Sequence, residues 1–370
     1  MEKDIIRISM LGGSGSGKTS FLSGIVQSMM VNNVVFGTGG TSSSILLNAV
    51  ETRNTNSFFT DGEVVESAIN NAVLLSQYLL SNEPDAPNGG FVNSTTDSIE
   101  FVFDLLIDGI QCCRIAIVDY AGELIDNPDN EAMQSNLKQL CSNIAQSDAI
   151  IIMADMSIIA GHSDNIFSLQ RELGANMVNM IFPNIKAITE SNNKPLTTLI
   201  AMTKSDHHEI PDMMKTSNFA GISNILYEKV YRKMFTCMNS NNDSWGIIPV
   251  SAVGNTNNTD EDNHIVENAD IQAENIDNAI LFCISNSLTR IISDKETELS
   301  EIRHQLRGFL MSRADRARLR KNSEILESQK NALEKCRNSI ASLNDRFSAT
   351  INNIHRANVT ELNEVVKKKR

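Results

Sequence analysis

The chain has 370 residues, 41% of them hydrophobic, which leaves room for one large domain with an appended part or for two ordinary domains. A net charge of −13 argues against indiscriminate binding to DNA, and six cysteines without a C-x-x-C pair argue against a disulfide framework. The expected setting is reducing and cytoplasmic, because Met-Glu-Lys-Asp is not a secretory start and no apolar run approaches a bilayer span.

Ile5 to Leu11 reads as a buried strand and Lys18 to Val31 as a helix, with Phe21, Leu22, Ile25 and Met29 at helical spacing. Residues 32–97 are rich in Gly, Ser, Thr and Asn and read as an insertion, with one amphipathic helical stretch near residues 63–80. Ser98 to Ile107 and Gln111 to Val118 form a hairpin across Asp108-Gly109. Ala149 to Ala154, Leu196 to Met202 and Ile247 to Val250 are further strands, separated by helical patterns near 134–146 and 165–180. The alternation predicts an α/β fold: a mostly parallel sheet with one antiparallel strand and helices on both faces.

Residues 255–277 hold seven acids and no Lys or Arg, a solvated loop leading into a helix at 276–292. Residues 293–370 then carry 17 Lys+Arg against 11 Asp+Glu, whereas residues 1–292 carry 15 against 34. That switch of polarity divides the chain into 1–292 and a basic helical extension, 293–370. Leu326, Leu333, Ile340, Phe347 and Ile354 recur every seven residues, which favours a coiled coil over helices packed on the domain. The basic cluster from Arg313 to Lys321 interrupts the apolar spacing and marks a corner between two helices.

The chemistry starts at Gly12-Gly13-Ser14-Gly15-Ser16-Gly17-Lys18-Thr19-Ser20, which fits G-x-x-x-x-G-K-[ST] between a strand and a helix. A glycine-rich turn points backbone N–H groups inward while the following helix presents its positive end, the needs of a phosphate chain. In that pattern Lys18 reaches the β- and γ-phosphates, and the Thr19 hydroxyl ligates Mg²⁺. Asp119 ends a strand and opens D-x-x-G at Asp119 to Gly122, placing a carboxylate for Mg²⁺ and the Gly122 N–H for a γ-phosphate. Thr203-Lys204-Ser205-Asp206 and Ser251-Ala252-Val253 follow two further strands. Asp206 can accept from guanine N1 and the 2-amino group, Lys204 can cover the base with its alkyl stem, and the Ala252 N–H can donate to the 6-oxo group.

On these motifs, residues 4–292 resemble a Ras-like P-loop GTPase of the translation-factor-related class. The pentapeptide Asp119-Tyr120-Ala121-Gly122-Glu123 and the long insertion also resemble the double-GTPase-like domains of bacterial effector and conflict systems. The resemblance implies GTP and GDP as ligands, Mg²⁺ as cofactor and two switch loops, with Thr95 or Thr96 as the residue that closes over the metal. Three positions depart from the family pattern: Thr203 stands for Asn, Val253 for Lys, and Glu123 where glutamine commonly orients water. Glu123 can accept from that water but opposes the γ-phosphate, so slow hydrolysis stimulated by a partner is expected. Arg53, the single basic residue of the insertion up to residue 97, is a weak arginine-finger candidate.

The expected function is a GTP-dependent switch that signals to a protein partner through its switch loops and C-terminal helices. The rivals are a scaffold without hydrolysis, assembled through a coiled coil, and an adenine-nucleotide enzyme, which Asp206 argues against. The terminal run of Lys367 to Arg370 leaves room for acidic lipid or RNA, though a basic tail closing a helix is the commoner case. His162, His207, His208 and His264 have no spacing partner for zinc and read as solvent-facing loop residues.

Overall fold

The computed structural model describes residues 5–13, 15–25, 28–29, 34–36, 43–54, 99–120, 131–162, 165–207, 210, 220–238, 243–254, 272–307 and 312–347. Eight strands form one sheet: β1 (Ile5–Leu11), β2 (Val34–Phe36), β3 (Ser43–Asn54), β4 (Ile99–Ile107), β5 (Ile110–Asp119), β6 (Ala149–Asp155), β7 (Thr197–Thr203) and β8 (Ser244–Pro249). Their order is β2-β3-β4-β5-β1-β6-β7-β8. From β5 to β8 all neighbours are parallel, whereas β2, β3 and β4 meander antiparallel to one another and to β5. The expected α/β class is therefore observed, with two more strands than its sequence pattern announces.

From β5 onward, consecutive strands are separated by helices, as the geometry of a parallel crossover demands. The helices are α1 (Lys18–Ile25), α2 (Glu131–Gln146), α3 (Met156–His162), α4 (Ile166–Glu172), α5 (Ala175–Ser191), α6 (Ala220–Ile225), α7 (Arg232–Cys237), α8 (Ile276–Leu306) and α9 (Arg313–Phe347), with a π-turn at Leu226–Val230. Alternation along β1 sends Ile6, Ile8 and Met10 into one core, with α1, α8 and α9. Leu11 joins a second core on the other face, built from α2 to α7. β6 and β7 are buried along their whole length, which is why they read as unbroken apolar runs.

Four local differences from the sequence reading have plain causes. The helical pattern at 165–180 breaks into α4 and α5 because Gly174 adopts a left-handed conformation, φ 64°. β3 lies inside residues 32–97, where the polar composition of the surrounding segment masks a strand whose Ile45 and Leu47 are fully buried. The helix expected at 276–292 continues unbroken to Leu306. His207, expected in solvent, is buried. The helical stretch near 63–80 and residues 348–370 lie outside the described residues.

α8 and α9 form an antiparallel hairpin whose corner precedes Arg313. Leu299 and Ile302 meet Leu326 between the two helices, and Glu296 pairs with Lys330 at 2.9 Å. Beyond that point Leu333 and Ile340 enter the same core as β1, β3 and β5. Over Leu326, Leu333 and Ile340 the seven-residue recurrence is thus spent first on the hairpin and then on the sheet, with this part of α9 laid against the domain. α8 is moored by Arg290, which binds the buried Asp148. Asp148 also accepts the Arg7 N–H at 2.9 Å and lies 3.5 Å from Lys194. No described helix is long and apolar enough to cross a membrane.

Candidate nucleotide site

Four sequence motifs lie at the carboxyl ends of β1, β5, β7 and β8, along one edge of the parallel sheet. Register aligns Met10 with Asp119, Asp155 with Thr203 and Met202 with Pro249, so the strands release their loops side by side. In open α/β sheets this edge is where ligands bind.

The first loop leaves β1 and enters α1. Gly15 and Gly17 have φ of 73° and 88°, conformations that glycine adopts without strain. A Cβ on Gly12 would come within 2.5 Å of the Ser16 Oγ, so that glycine is required for space rather than for its dihedral angles. Phe21 N donates to the Gly17 carbonyl at 2.8 Å, starting α1 directly behind the loop. Lys18 is buried, and its Nζ donates to the Gly12 and Gly13 carbonyls at 2.8 and 3.1 Å. The ammonium is held against the carbonyls of the turn, where phosphate oxygens can replace them. Thr19 and Ser20 occupy the first turn of α1.

Asp119 is the residue opposite Met10, and the Tyr120 N–H bonds to the Met10 carbonyl at 3.4 Å, fixing the end of β5 beside the loop. Its side chain is 1% exposed and its Oδ1 has no hydrogen-bond partner among the described residues. Burial pushes its carboxyl up to about 7, with the nearby Lys18 ammonium pulling it back down. A buried carboxylate with an idle oxygen is costly unless a cation meets it. The donor chemistry therefore fits a hard divalent cation such as Mg²⁺ at this position.

The third loop reaches across the first. Thr203 Oγ1 donates to the Ser16 carbonyl at 2.7 Å, and a Cβ on Gly17 would sit 3.4 Å from the Thr203 Cβ. Lys204 has φ 53° and pairs with Asp155 at 2.7 Å. Asp155 is itself held by the Ser157 N–H at 2.9 Å and the Ser157 hydroxyl at 2.6 Å. Asp206 follows in a turn closed by the bond from His207 N to the Lys204 carbonyl, 3.0 Å.

The fourth loop is tied to the third by the Ser205 N–H, which donates to the Val250 carbonyl at 3.2 Å. Ser251 Oγ accepts from Val253 N at 3.1 Å and from Gly254 N at 2.8 Å, curling the segment around its own side chain. A two-way backbone bridge from Ser251 to Glu274 clamps it from outside. These bonds leave the Ala252 N–H without a partner among the described residues.

No family model matches the chain, and no curated protein matches it by sequence. Among solved structures it is similar to the signal recognition particle receptor SRb-GTP/SRX complex from Chaetomium thermophilum, at 11% identity and TM-score 0.33, over 67% of this chain and 94% of the other. It is also similar to the S. cerevisiae Ski7 GTPase-like domain bound to GDP and inorganic phosphate, at 12% identity and TM-score 0.37. The same domain bound to GTP matches at 13% and 0.35. Each Ski7 match spans 76% of this chain and 50% of the other, so this chain covers about half of that length.

Of the residues expected at the site, Gly12, Gly13, Gly15, Ser16, Gly17, Lys18, Thr19, Ser20, Asp119, Thr203, Lys204, Asp206, Ser251, Ala252 and Val253 fall on the one edge. Ser14, Thr95, Thr96, Gly122 and Glu123 lie outside the described residues. Asp155 escaped the motif reading, although an acid ending the apolar run Ala149 to Ala154, one strand from the phosphate loop, could have disclosed it. Among the described residues no cluster of His, Cys, Asp and Glu has the makings of a separate metal centre.

Proposed function

We propose that the chain is a GTP-binding switch protein that uses Mg²⁺. The observation that carries this reading is the Thr203 to Ser16 hydrogen bond, because it joins the loop suited to phosphates to the loop suited to guanine. Lys18 and the backbone of residues 12–17 hold the phosphates, and Asp119 with Thr19 holds the metal. Asp206 accepts from the guanine N1 and 2-amino groups while the Ala252 N–H serves the 6-oxo group. Lys204, fixed by Asp155, lays its stem along the base. Bound Mg²⁺ supplies neutralisation of the charge between the β- and γ-phosphates.

Hydrolysis is slow in this proposal, with Gly122 meeting the γ-phosphate, Glu123 positioning water and a protein partner accelerating the step. Thr95 or Thr96 and the loop after Asp119 order on GTP, and α8 and α9 convey the state onward. The domain arrangement, 1–292 with the extension 293–370, belongs to the same proposal, as does a cytoplasmic setting. A hydrolysis-deficient scaffold is the competing reading, favoured by the charge of Glu123.

Titration of the purified chain with a fluorescent GDP analogue tests the assignment. Binding competed by GTP but not by equal ATP, and absent in Lys18→Ala, is expected; equal binding by Lys18→Ala would sink it. Single-turnover assays with candidate partners separate the switch from the scaffold, which turns over under no condition.

A further inference from the structure

At the other end of β5, away from Asp119, two cysteines stand side by side and face the same way. In a regular strand neighbours point to opposite faces. Here Cys113 pairs with Leu105 and Gln111 with Leu106, so the register shifts at Cys112, the extra residue of a bulge. Such a bulge re-aims a side chain, and both Cys112 and Cys113 pack into the core that receives α9. Cys336, fully buried on α9, packs into that same core, with its thiol beside that of Cys112. Cys112 is half-buried, whereas Cys113 and Cys336 are closed off from solvent.

The surroundings distinguish Cys112 from the other thiols. Its thiol is lowered to about 7 from the ordinary 9.0, first by the Cys336 hydrogen bond and also by the Ile107 backbone and the Lys335 ammonium, against burial and Asp108. Lys335 lies 4.0 Å from Asp108 at the β4–β5 turn. Burial instead pushes Cys141 and Cys283 up. A thiolate is the reactive form of cysteine, so one reactive sulfur sits against one shielded sulfur across a contact between sheet and helix.

The geometry points to Cys112 and Cys336 as a reversible redox pair whose co-reactant is a hydroperoxide and whose product is a disulfide tying α9 to β5. The Cys112 thiolate attacks the terminal oxygen of ROOH; the O–O bond breaks, RO⁻ takes up a proton as ROH, and Cys112 becomes a sulfenic acid. The Cys336 sulfur then attacks the Cys112 sulfur, forming S–S and breaking S–O. The departing hydroxide takes the Cys336 proton as water. Two thiols are oxidised by two electrons and one hydroperoxide is reduced.

The test treats the full chain with hydrogen peroxide and combines a thiol count in denaturant with non-reducing peptide mapping. Expected is the loss of two of the six thiols, a peptide linked through Cys112 and Cys336, and full recovery with dithiothreitol. Cys113→Ser keeps the link and Cys112→Ser loses it. Cys336→Ala leaves Cys112 as a sulfenic acid captured by dimedone. Mapping of the unmutated chain needs no variant to fold. A Cys112–Cys113 link, a disulfide between two chains, irreversible oxidation of Cys112, or no change in the thiol count would each overturn the pairing.

Discussion

The hydroxyl of Thr203 donates to the carbonyl of Ser16 across 2.7 Å and 187 positions of sequence. Both residues are buried, so the bond has little competition from water, and leaving a buried acceptor unmet costs about 1–3 kcal/mol. Thr203→Val keeps the shape and deletes the donor. Guanine-nucleotide affinity should fall about tenfold with helicity unchanged, read by fluorescent-nucleotide titration and circular dichroism. Affinity equal to the wild type would show that the two loops are not coupled through this bond.

Asp119 stores a cost in the metal-free protein. Asp119→Asn removes a buried charge, so the metal-free form should melt higher, by an amount corresponding to about 1–3 kcal/mol. The same variant should lose most of the Mg²⁺ dependence of nucleotide binding. Melting curves with and without Mg²⁺ check both halves, and a metal-free form that melts lower than wild type contradicts the assignment.

Asp155 pairs with the ammonium of Lys204, whose backbone is left-handed. Asp155→Ala should weaken guanine nucleotides while sparing the phosphate loop, so inorganic pyrophosphate competes as well as before. Calorimetry with GDP and with pyrophosphate separates the two. Equal losses for both ligands would place the effect in the fold instead of the base site.

Leu333 is 1% exposed and belongs to the core of the sheet. Leu333→Ala should destabilise the domain by about 2–5 kcal/mol, seen as a lower midpoint in urea. Were α9 an independent coil, the domain transition would not move.

Cys112 gives a prediction in pH. Because its folded thiol is lowered to about 7, alkylation by iodoacetamide should rise with pH and reach half its maximum near about 7, not near the ordinary 9.0. Lys335→Met removes a positive charge that favours the thiolate and should move that midpoint upward. Cys336→Ala removes the leading cause and should move it further. A midpoint indifferent to both changes would mean that Cys336 and Lys335 do not face this sulfur in solution.

The place of the candidate site was legible in the chain, because a glycine-rich turn between a strand and a helix carries particular residues at fixed spacing. Asp119 ends β5, Asp206 and Ser251 follow β7 and β8 within three residues, and Gly17 and Lys18 close the loop between β1 and α1, each after an apolar run that announces its strand. Asp155 was less legible, since its role depends on Lys204, 49 positions later, and on a strand pairing that no local pattern encodes. β3 was hidden for another reason. A strand at the antiparallel end of a sheet needs only alternate buried residues, and the short apolar run Ile45-Leu46-Leu47 stands between stretches rich in Gly, Ser, Thr and Asn. The destination of α9 was ambiguous because a seven-residue apolar recurrence specifies a buried stripe and not what buries it.

α8 begins two residues after Glu274, whose backbone clamps the Ser251 loop, and continues through 31 residues without a break. At 1.5 Å per residue it is a rod about 46 Å long. Its root is fastened to the segment suited to guanine, and its far end turns into α9, which returns to the opposite end of β5. The hairpin of α8 and α9 thus runs from the Ser251 segment back to the contact between Cys336 and the end of β5, and a disulfide there would fasten α9 to the sheet on which α8 also packs.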